Sequence, residues 1–216
     1  SGSAAFSPKP KATLVVTGVV LLLVFGVYIA GYAPNLAFDA EKSVLQSSFN
    51  HSWIESFNID YFMGLDGISF PLLVLTAFVS MLAMGASWSI TKYVKGYCIL
   101  FLLLETGMLG VFVALDLFLF YVFWEVMLLP MYFLIGVWGG ANRLYAAIKF
   151  FLYTLAGSML LLVAILVLYY YGGHTFDILA LSQGTYPASL QTWSFMEFFA
   201  AFAVQVVGGR IVVLRG

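Results

Sequence analysis

Charged residues are scarce in this chain. Only 9% of its 216 residues are Asp, Glu, Lys or Arg, whereas an ordinary soluble domain has about 25%. Hydrophobic residues make up 63%, and the mean hydropathy is +1.02. Water cannot be the main solvent of such a chain, and a formal net charge of −1 provides no basic face for nucleic acid. The composition therefore predicts an integral membrane protein.

Cysteine and the common catalytic motifs are also lacking. Cys98 is the single cysteine, which excludes an internal disulfide, a CxxC redox pair, an iron–sulfur cluster and a cysteine zinc site built from this sequence. There is no glycine-rich phosphate loop and no HExxH motif. We therefore expect no cofactor, no metal and no redox site on this chain, so any electron carrier lies elsewhere.

Long apolar stretches fill most of the sequence. Each is close to the about 20 residues that a helix needs to cross about 30 Å of hydrocarbon, and a helix satisfies its own backbone hydrogen bonds in lipid. The third and fourth stretches are nearly continuous, so a tight turn near Leu115 and Asp116 separates them. The sequence predicts an all-α integral membrane protein with about six transmembrane helices within residues 12–213, at about 12–32, 67–88, 97–115, 116–138, 145–171 and 193–213.

Positive charge predicts the orientation. The first stretch is longer than the about 7–15 residues of a signal-peptide core, so we expect a true span there. If residues 1–11 are a cytoplasmic segment, residues 34–64 form an outer loop. Lys42 in this loop is then the only basic loop residue on the outer side. Residues 176–181 can form a short surface helix. The positive-inside rule favours this arrangement. The basic residues that it places on the inner side are Lys9, Lys11, Lys92, Lys95, Arg143, Arg210 and Arg215.

Two carboxyl groups lie near the middle of predicted spans, Glu105 in the third and Glu125 in the fourth. An ionisable residue at the bilayer centre costs about 2.5–3.5 kcal/mol on insertion scales, so it needs a compensating role. Both lie ten residues from Leu115, which predicts a similar depth on antiparallel neighbours. Desolvation favours the neutral form of a carboxyl group, and a group that can be neutral or charged near pH 7 can carry protons. The rotation of the two helices remains open.

Each of these residues also has a structural interpretation. Pro130 has no N–H for the carbonyl of Val126, which predicts a kink after Glu125 and a free acceptor where water can bind. Glu125 can instead hydrogen-bond a neighbouring helix and hold the bundle together. Asp116 is either the N-cap of the fourth helix or part of a water entrance. Lys149 either joins a proton path or extends its ammonium to the inner interface.

Three segments of the sequence resemble one known family. They are residues 65–71, LDGISFP, residues 114–140, ALDLFLFYVFWEVMLLPMYFLIGVWGG, and residues 145–158, YAAIKFFLYTLAGS. The similarity runs almost without gaps from about Ile59 to Val204. On these residues the chain resembles subunit M, also called NADH dehydrogenase chain 4, of the proton-pumping NADH:quinone oxidoreductase of bacterial respiration, complex I.

The resemblance implies an antiporter-like subunit in which protons cross along a hydrated mid-membrane line of glutamate, lysine and histidine. Glu125 occupies the family's key glutamate, and Asp116 matches an acidic position of the same motif. Glu105 and Lys149 are further candidates from their own positions. The implied partners are the other membrane-arm subunits and the lipid bilayer, and the implied location is the bacterial inner membrane, with redox cofactors in other chains.

The sequence departs from this family near its end. Gln205 stands where the family has a lysine, and Val207 to Gly216 replaces a proline-rich stretch. The departure implies a fragment, without the partner lysine and the second half, that does not pump protons alone. Two rival interpretations stay open. One is the same fold in a multisubunit cation/proton antiporter or a membrane-bound hydrogenase. The other is a structural membrane anchor without an ion path.

Overall fold

The polar segment ahead of the long helices forms a β-hairpin. The computed structural model describes the backbone of residues 45–215 and the side chains of residues 45 and 48–204. Strand β1 (Gln46–Ile54) pairs antiparallel with strand β2 (Ile59–Leu65). A 3-10 turn at Glu55–Phe57 joins them, and Asn58 closes the turn at φ 51, a left-handed conformation that asparagine tolerates. The predicted outer loop at 34–64 is therefore ordered as strands over its described part.

Aromatic side chains line one face of this hairpin. The rings of Phe49 and Trp53 both meet the ring of Tyr61 edge-on, each with its centroid 6.5 Å away. The Trp53 ring also lies 6.4 Å from that of Phe118, on a following helix. The ring side chains of Phe49, His51 and Trp53 alternate with small polar residues along β1, which is the period-two pattern of a strand. That alternation was the signal for a strand, and interpreting the segment as a polar loop missed it.

Six α-helices follow within the described residues: α1 (Ser69–Ala86), α2 (Val94–Val113), α3 (Leu117–Trp138), α4 (Arg143–Tyr171), α5 (Ile178–Ser182) and α6 (Ala188–Arg215). The first four are long and apolar enough to cross a membrane, α1 being extended by a 3-10 turn to Ser89. They coincide with the second to fifth predicted spans, and the predicted helical fold class is confirmed. The short helix α5 matches the one expected at 176–181, and α6 begins ahead of the expected sixth span.

Some sequence predictions concern residues that the structure does not describe. The first predicted span, at about 12–32, lies outside the described residues, together with Lys9, Lys11 and Lys42. The side chains of Gln205, Arg210 and Arg215 are also outside them. The orientation of the bundle in the membrane therefore stays a prediction.

The turn between α2 and α3 is as tight as the sequence predicts. The backbone of Leu115 donates its N–H to the Phe62 carbonyl of β2 at 2.9 Å and accepts the N–H of Ile178 at 3.0 Å. Leu117 donates to the Phe176 carbonyl at 2.9 Å. The turn is thus held between the hairpin and the segment that leads into α5, and this fixes the position of the start of α3.

Glycine sets the spacing of α2 and α3. A Cβ added at Gly107 would collide with the Met127 side chain, and one added at Gly110 would collide with the ring of Phe123. Small residues let helix backbones approach closely in a membrane, where the gain comes from packing. The two glycines therefore mark the face that α2 turns toward α3.

Two clusters of buried side chains hold the other helices. On α2, Val94, Cys98 and Phe101 pack with Met84 of α1. The larger cluster joins α4 to α6 and also includes residues of β2 and of the segment before α5: Ile59, Leu161, Ile165, Phe176 and Ala201. The helices of the bundle thus pack in successive pairs, and the hairpin covers one end of the bundle.

At the other end, basic residues gather. The indole of Trp138 donates to the Lys92 carbonyl at 2.7 Å, which ties the α3–α4 turn to the α1–α2 turn. Arg143, the first residue of α4, donates to the Val137 carbonyl at 3.1 Å. Lys92, Lys95 and Arg143 therefore share one end of the bundle, opposite the hairpin.

Candidate functional site

Glu125 lies in the apolar stretch of α3. It follows the first residue of the helix, Leu117, by a rise of about 12 Å along the axis. Its Oε1 atom is buried and has no hydrogen-bond partner within the described residues. The helix continues through Pro130, which leaves the Val126 carbonyl without its usual N–H donor. An unsatisfied carboxyl oxygen beside a carbonyl that has lost its helical N–H donor can bind a water molecule or a proton.

Two hydroxyl groups accompany Glu125. The phenol of Tyr121, one turn earlier on α3, lies near both the Glu125 carboxyl and the hydroxyl of Ser158 on α4. Ser158 is buried and donates to the Leu155 carbonyl at 3.1 Å. Sequence reasoning missed both residues. The spacing of four residues could have revealed Tyr121, whereas Ser158 required the rotation of α4.

Asp116 caps α3. Its Oδ1 accepts the N–H groups of Phe118 at 2.8 Å and Leu119 at 3.0 Å, and its Oδ2 accepts that of Asp60 at 3.4 Å. The side chain is buried at 1% exposure. Burial raises the pKa of the Asp116 carboxyl, although the hydrogen bonds from Leu119, Asp60 and Phe118 oppose the shift. The N-cap interpretation is confirmed, and a role in proton movement stays a prediction.

Glu105 is buried on a different face of the bundle from Glu125. It lies as far from the end of α2 as Glu125 lies from the start of α3, so the predicted similarity of depth holds. Helical periodicity, however, puts Glu105 on the same face as Cys98 and Phe101, which pack with Met84 of α1. The contact with α3 is made by the glycine face instead. The structure therefore separates the two carboxylates that the sequence left free to meet.

Lys149 lies about two turns into α4 and is half-buried. Its ammonium donates to the Tyr145 hydroxyl at 2.9 Å and lies 4.9 Å above the centre of that ring. Tyr145 is one turn nearer the basic end, so the side chain extends toward that end, as the snorkelling interpretation expects. No ion pair joins Lys149 to Glu125 within the part of the chain that the structure describes.

A further carboxyl group was not singled out from the sequence. Glu197 lies on α6, one turn after Ser194, whose buried hydroxyl has no partner among the described side chains. The described residues contain no group of three His, Cys, Asp or Glu side chains that could hold a metal ion. Of the sites described, that of Glu125 alone combines a mid-helix carboxyl with a buried, unpaired oxygen in residues 48–204.

Comparison with known families identifies two overlapping matches. The family described as "NADH-ubiquinone oxidoreductase chain 4, amino terminus" matches residues 40–120, and "NADH:quinone oxidoreductase/Mrp antiporter, TM" matches residues 114–207. Together they cover more than half of the chain. The second match includes Asp116, Glu125, Lys149 and Ser158.

Curated relatives agree with these matches. The chain is 41% identical to the NADH-quinone oxidoreductase subunit M of Rhodobacter capsulatus, over 95% of this chain and 41% of the relative. It is also 41% identical to the chloroplastic NAD(P)H-quinone oxidoreductase chain 4 of Mesostigma viride, over 83% of this chain and 35% of the relative. The chain thus spans well under half the length of the curated relatives it matches.

Solved structures share the fold. A chain of respiratory complex I from Thermus thermophilus aligns with a TM-score of 0.70 and 27% identity, over 90% of this chain and 42% of that one. A chain of the Mrp complex from Dietzia sp. DQ12-45-1b aligns with a TM-score of 0.67 and 19% identity, over 92% of this chain and 20% of that one. At 19% identity the second likeness concerns the fold alone.

Proposed function

Because this chain belongs to the NADH:quinone oxidoreductase/Mrp antiporter membrane family, with subunit M and chain 4 proteins among its relatives, we propose that it carries protons across the membrane in a proton-pumping NADH:quinone oxidoreductase. The observation that supports this most strongly is the buried, unpaired oxygen of Glu125 inside a membrane-spanning helix. A carboxylate in that position can accept a proton, and the resulting acid can release it.

The proposal assigns a role to each candidate residue. Glu125 is the proton carrier, and the Val126 carbonyl, which lacks its helical N–H donor, is a place for a bridging water. Asp116 holds the start of α3 and contributes a second carboxyl at the hairpin end, while Glu105 offers a separate carboxyl on the α1 side of α2. Lys149 contributes positive charge nearer the basic end. Each of these secondary roles is part of the proposal.

The proposal also concerns the surroundings of the chain. The chain is a multi-pass membrane protein, and we infer the inner membrane of a bacterium as its location. Electron transfer and its cofactors belong to other subunits, since this sequence has neither the cysteines of an iron–sulfur cluster nor a nucleotide-binding loop. The direct partners are the neighbouring membrane subunits of the complex.

A cation/proton antiporter is the second candidate. The fold likeness to the Mrp complex favours it, and it would use the same carboxyl group without coupling to electron transfer. The identity of about two residues in five with subunit M proteins favours the oxidoreductase. Proton movement depends on quinone reduction in the oxidoreductase but not in the antiporter, and this difference distinguishes the two candidates.

Exchange of Glu125 tests the proposal in the complete subunit within its complex. Glu125→Gln keeps the shape and hydrogen-bonding capacity of the side chain but cannot exchange a proton. We expect quinone reduction and the pH gradient to fall together by about 100-fold or more, as is typical of losing a positioned proton-transfer group, while the complex still assembles. Glu125→Asp remains titratable and should keep partial activity.

Glu55→Gln is the matched control, because it makes the same chemical change in the exposed hairpin turn. It should leave both rates unchanged. Normal pumping by the Glu125→Gln complex would contradict the proposed function, and failure of that variant to assemble would favour the structural-anchor interpretation.

A further inference from the structure

The interface between α1, with its 3-10 extension, and α2 contains two polar layers separated by an apolar layer. At the basic end, the hydroxyl oxygens of Ser87 and Tyr97 lie 2.6 Å apart and share a hydrogen bond. Ser87 is buried and donates its own proton to the Ala83 carbonyl at 2.8 Å. A hydroxyl has one proton, so the phenol of Tyr97 is the donor to Ser87. These two side chains form the first polar layer, the hydroxyl pair.

The apolar layer, called the gate layer below, lies one turn deeper. Met84 of α1 packs there with Cys98 and Phe101 of α2, and each of the three is at most 8% exposed. The ring of Phe101 stacks on the ring of Tyr97, with the centroids 6.0 Å apart. A thioether, a thiol and a phenyl ring are weak hydrogen-bond partners or none, so the gate layer opposes the passage of water and protons.

The second polar layer consists of Glu105 and Ser80. Glu105 lies one turn beyond Phe101 on α2, and Ser80 lies one turn beyond Met84 on α1, so each shares the face of the packed residue. Because the two helices are antiparallel and Met84 meets Phe101, the periodicity puts the carboxyl and the hydroxyl at the same level. Glu105 is 6% exposed and Ser80 is 4% exposed.

The surroundings of Glu105 offer its carboxyl group no countercharge. Helix α1 contains no Asp, Glu, Lys, Arg or His in Ser69–Ala86. On α2 the same face carries Tyr97 and Cys98, which are ordinarily neutral near pH 7. Glu125 lies beyond the glycine face of α2. A buried carboxyl group without a charged partner takes the neutral form, so Glu105 holds a proton while the gate layer is closed.

We propose that Glu105 and Ser80 form a second proton-binding site, which the gate layer closes toward the basic end. When the layer opens, water that enters past the hydroxyl pair takes the proton of Glu105 and leaves the carboxylate, and the reverse transfer restores the acid. The hydroxyl groups of both polar layers keep their protons. The inference deepens the secondary role proposed for Glu105 and does not depend on Glu125.

Hydrogen–deuterium exchange of the Glu105 carboxyl group in the intact complex tests the gate. The C=O stretching band that Glu105→Gln removes from the infrared spectrum identifies the protonated group, and its shift after transfer into heavy water measures the exchange. Phe101→Ala removes the ring from the gate layer, so exchange should become faster by at least about tenfold. Phe101→Leu keeps a large apolar side chain, and its rate should stay within about threefold of the wild type.

Phe133→Ala is the matched control for the ring. It makes the same change on an exposed face of α3, so the exchange rate of Glu105 should equal that of the wild type. Equal rates in Phe101→Ala and Phe133→Ala would overturn the gate.

A second measurement tests the pairing with Ser80 and does not require Phe101→Ala to assemble. Ser80→Ala should shift the Glu105 band to higher frequency, because the C=O group loses a hydroxyl donor. Ser89→Ala, in the exposed turn after α1, should leave the band in place. An unshifted band in Ser80→Ala, or the lack of any carboxyl band that Glu105→Gln removes, would overturn the site. Neither result concerns Glu125, whose role Glu125→Gln tests separately.

Discussion

At the scale of single residues, the two carboxyl groups of α3 differ in what surrounds them. Asp116 accepts N–H groups with both oxygens at the start of the helix. Glu125 keeps one buried oxygen without a partner in the apolar interior of the helix. A satisfied carboxylate at a helix start stabilises the fold, whereas an unpaired one in a span opposes insertion. The difference explains why we assign the central role to Glu125.

Two substitutions of Asp116 distinguish the stabilising effect of its capping hydrogen bonds from the effect of its charge. Asp116→Ala removes the acceptor for Phe118 and Leu119 and should lower the free energy of unfolding by about 1 kcal/mol. Asp116→Asn keeps an acceptor without a charge and should unfold at a temperature equal to or above that of the wild type near pH 7. Thermal unfolding of the purified protein in detergent measures both variants.

The pH dependence of unfolding provides the check on this explanation. Because burial raises the pKa of Asp116 above its unfolded value, its stabilising contribution is fully present below about pH 3.9 and is lost as the pH rises through the folded-state pKa. Asp116→Asn cannot ionise, so its advantage over the wild type should grow with pH over that window. An advantage that shrinks as the pH rises would contradict burial as the cause.

At the scale of secondary structure, the sequence predicted where the long helices lie but left their rotations open. Hydrophobic length located the four helices because lipid requires about 20 apolar residues of every span. Nothing in that requirement determines which face of a uniformly apolar helix meets its neighbour. The contact of Gly107 and Gly110 with α3, and with it the separation of Glu105 from Glu125, therefore emerged only from the structure.

The close approach of α2 and α3 makes Gly110 sensitive to size. Gly110→Leu forces a side chain into the ring of Phe123, and overpacking of this kind costs about 1–3 kcal/mol. We expect a lower unfolding temperature, measured as the loss of folded protein on heating in detergent. Gly85→Ala on α1 is the control, since a Cβ there meets open space. Equal destabilisation by both substitutions would show that the glycine contact does not hold the pair together.

At the scale of the whole molecule, the two ends of the bundle differ in charge and structure. One end carries the turns with Lys92 and Arg143, joined through Trp138. The other carries the hairpin, the cap residue Asp116 and the start of α5 at Asp177. The sequence predicted this polarity from the spacing of lysine and arginine, but not the strands, because their short alternating pattern lies within a polar segment.

Cysteine labelling tests which end faces the cytoplasm. Ser89 and Ser182 are exposed at opposite ends of the bundle, the first near the basic turns and the second on α5. In a Cys98→Ser background, Ser89→Cys should react with a membrane-impermeant maleimide from the cytoplasmic side only, and Ser182→Cys from the outer side only. Reaction of both from one side would contradict the predicted topology.

The central claim is that the Glu125 carboxyl changes its protonation state during turnover. Infrared difference spectra of the intact complex, recorded before and during NADH oxidation, measure this directly. We predict a carboxyl C=O stretching signal during turnover that is absent from Glu125→Gln and persists, at another frequency, in Glu125→Asp. A turnover spectrum that is identical in the wild type and Glu125→Gln would contradict the account.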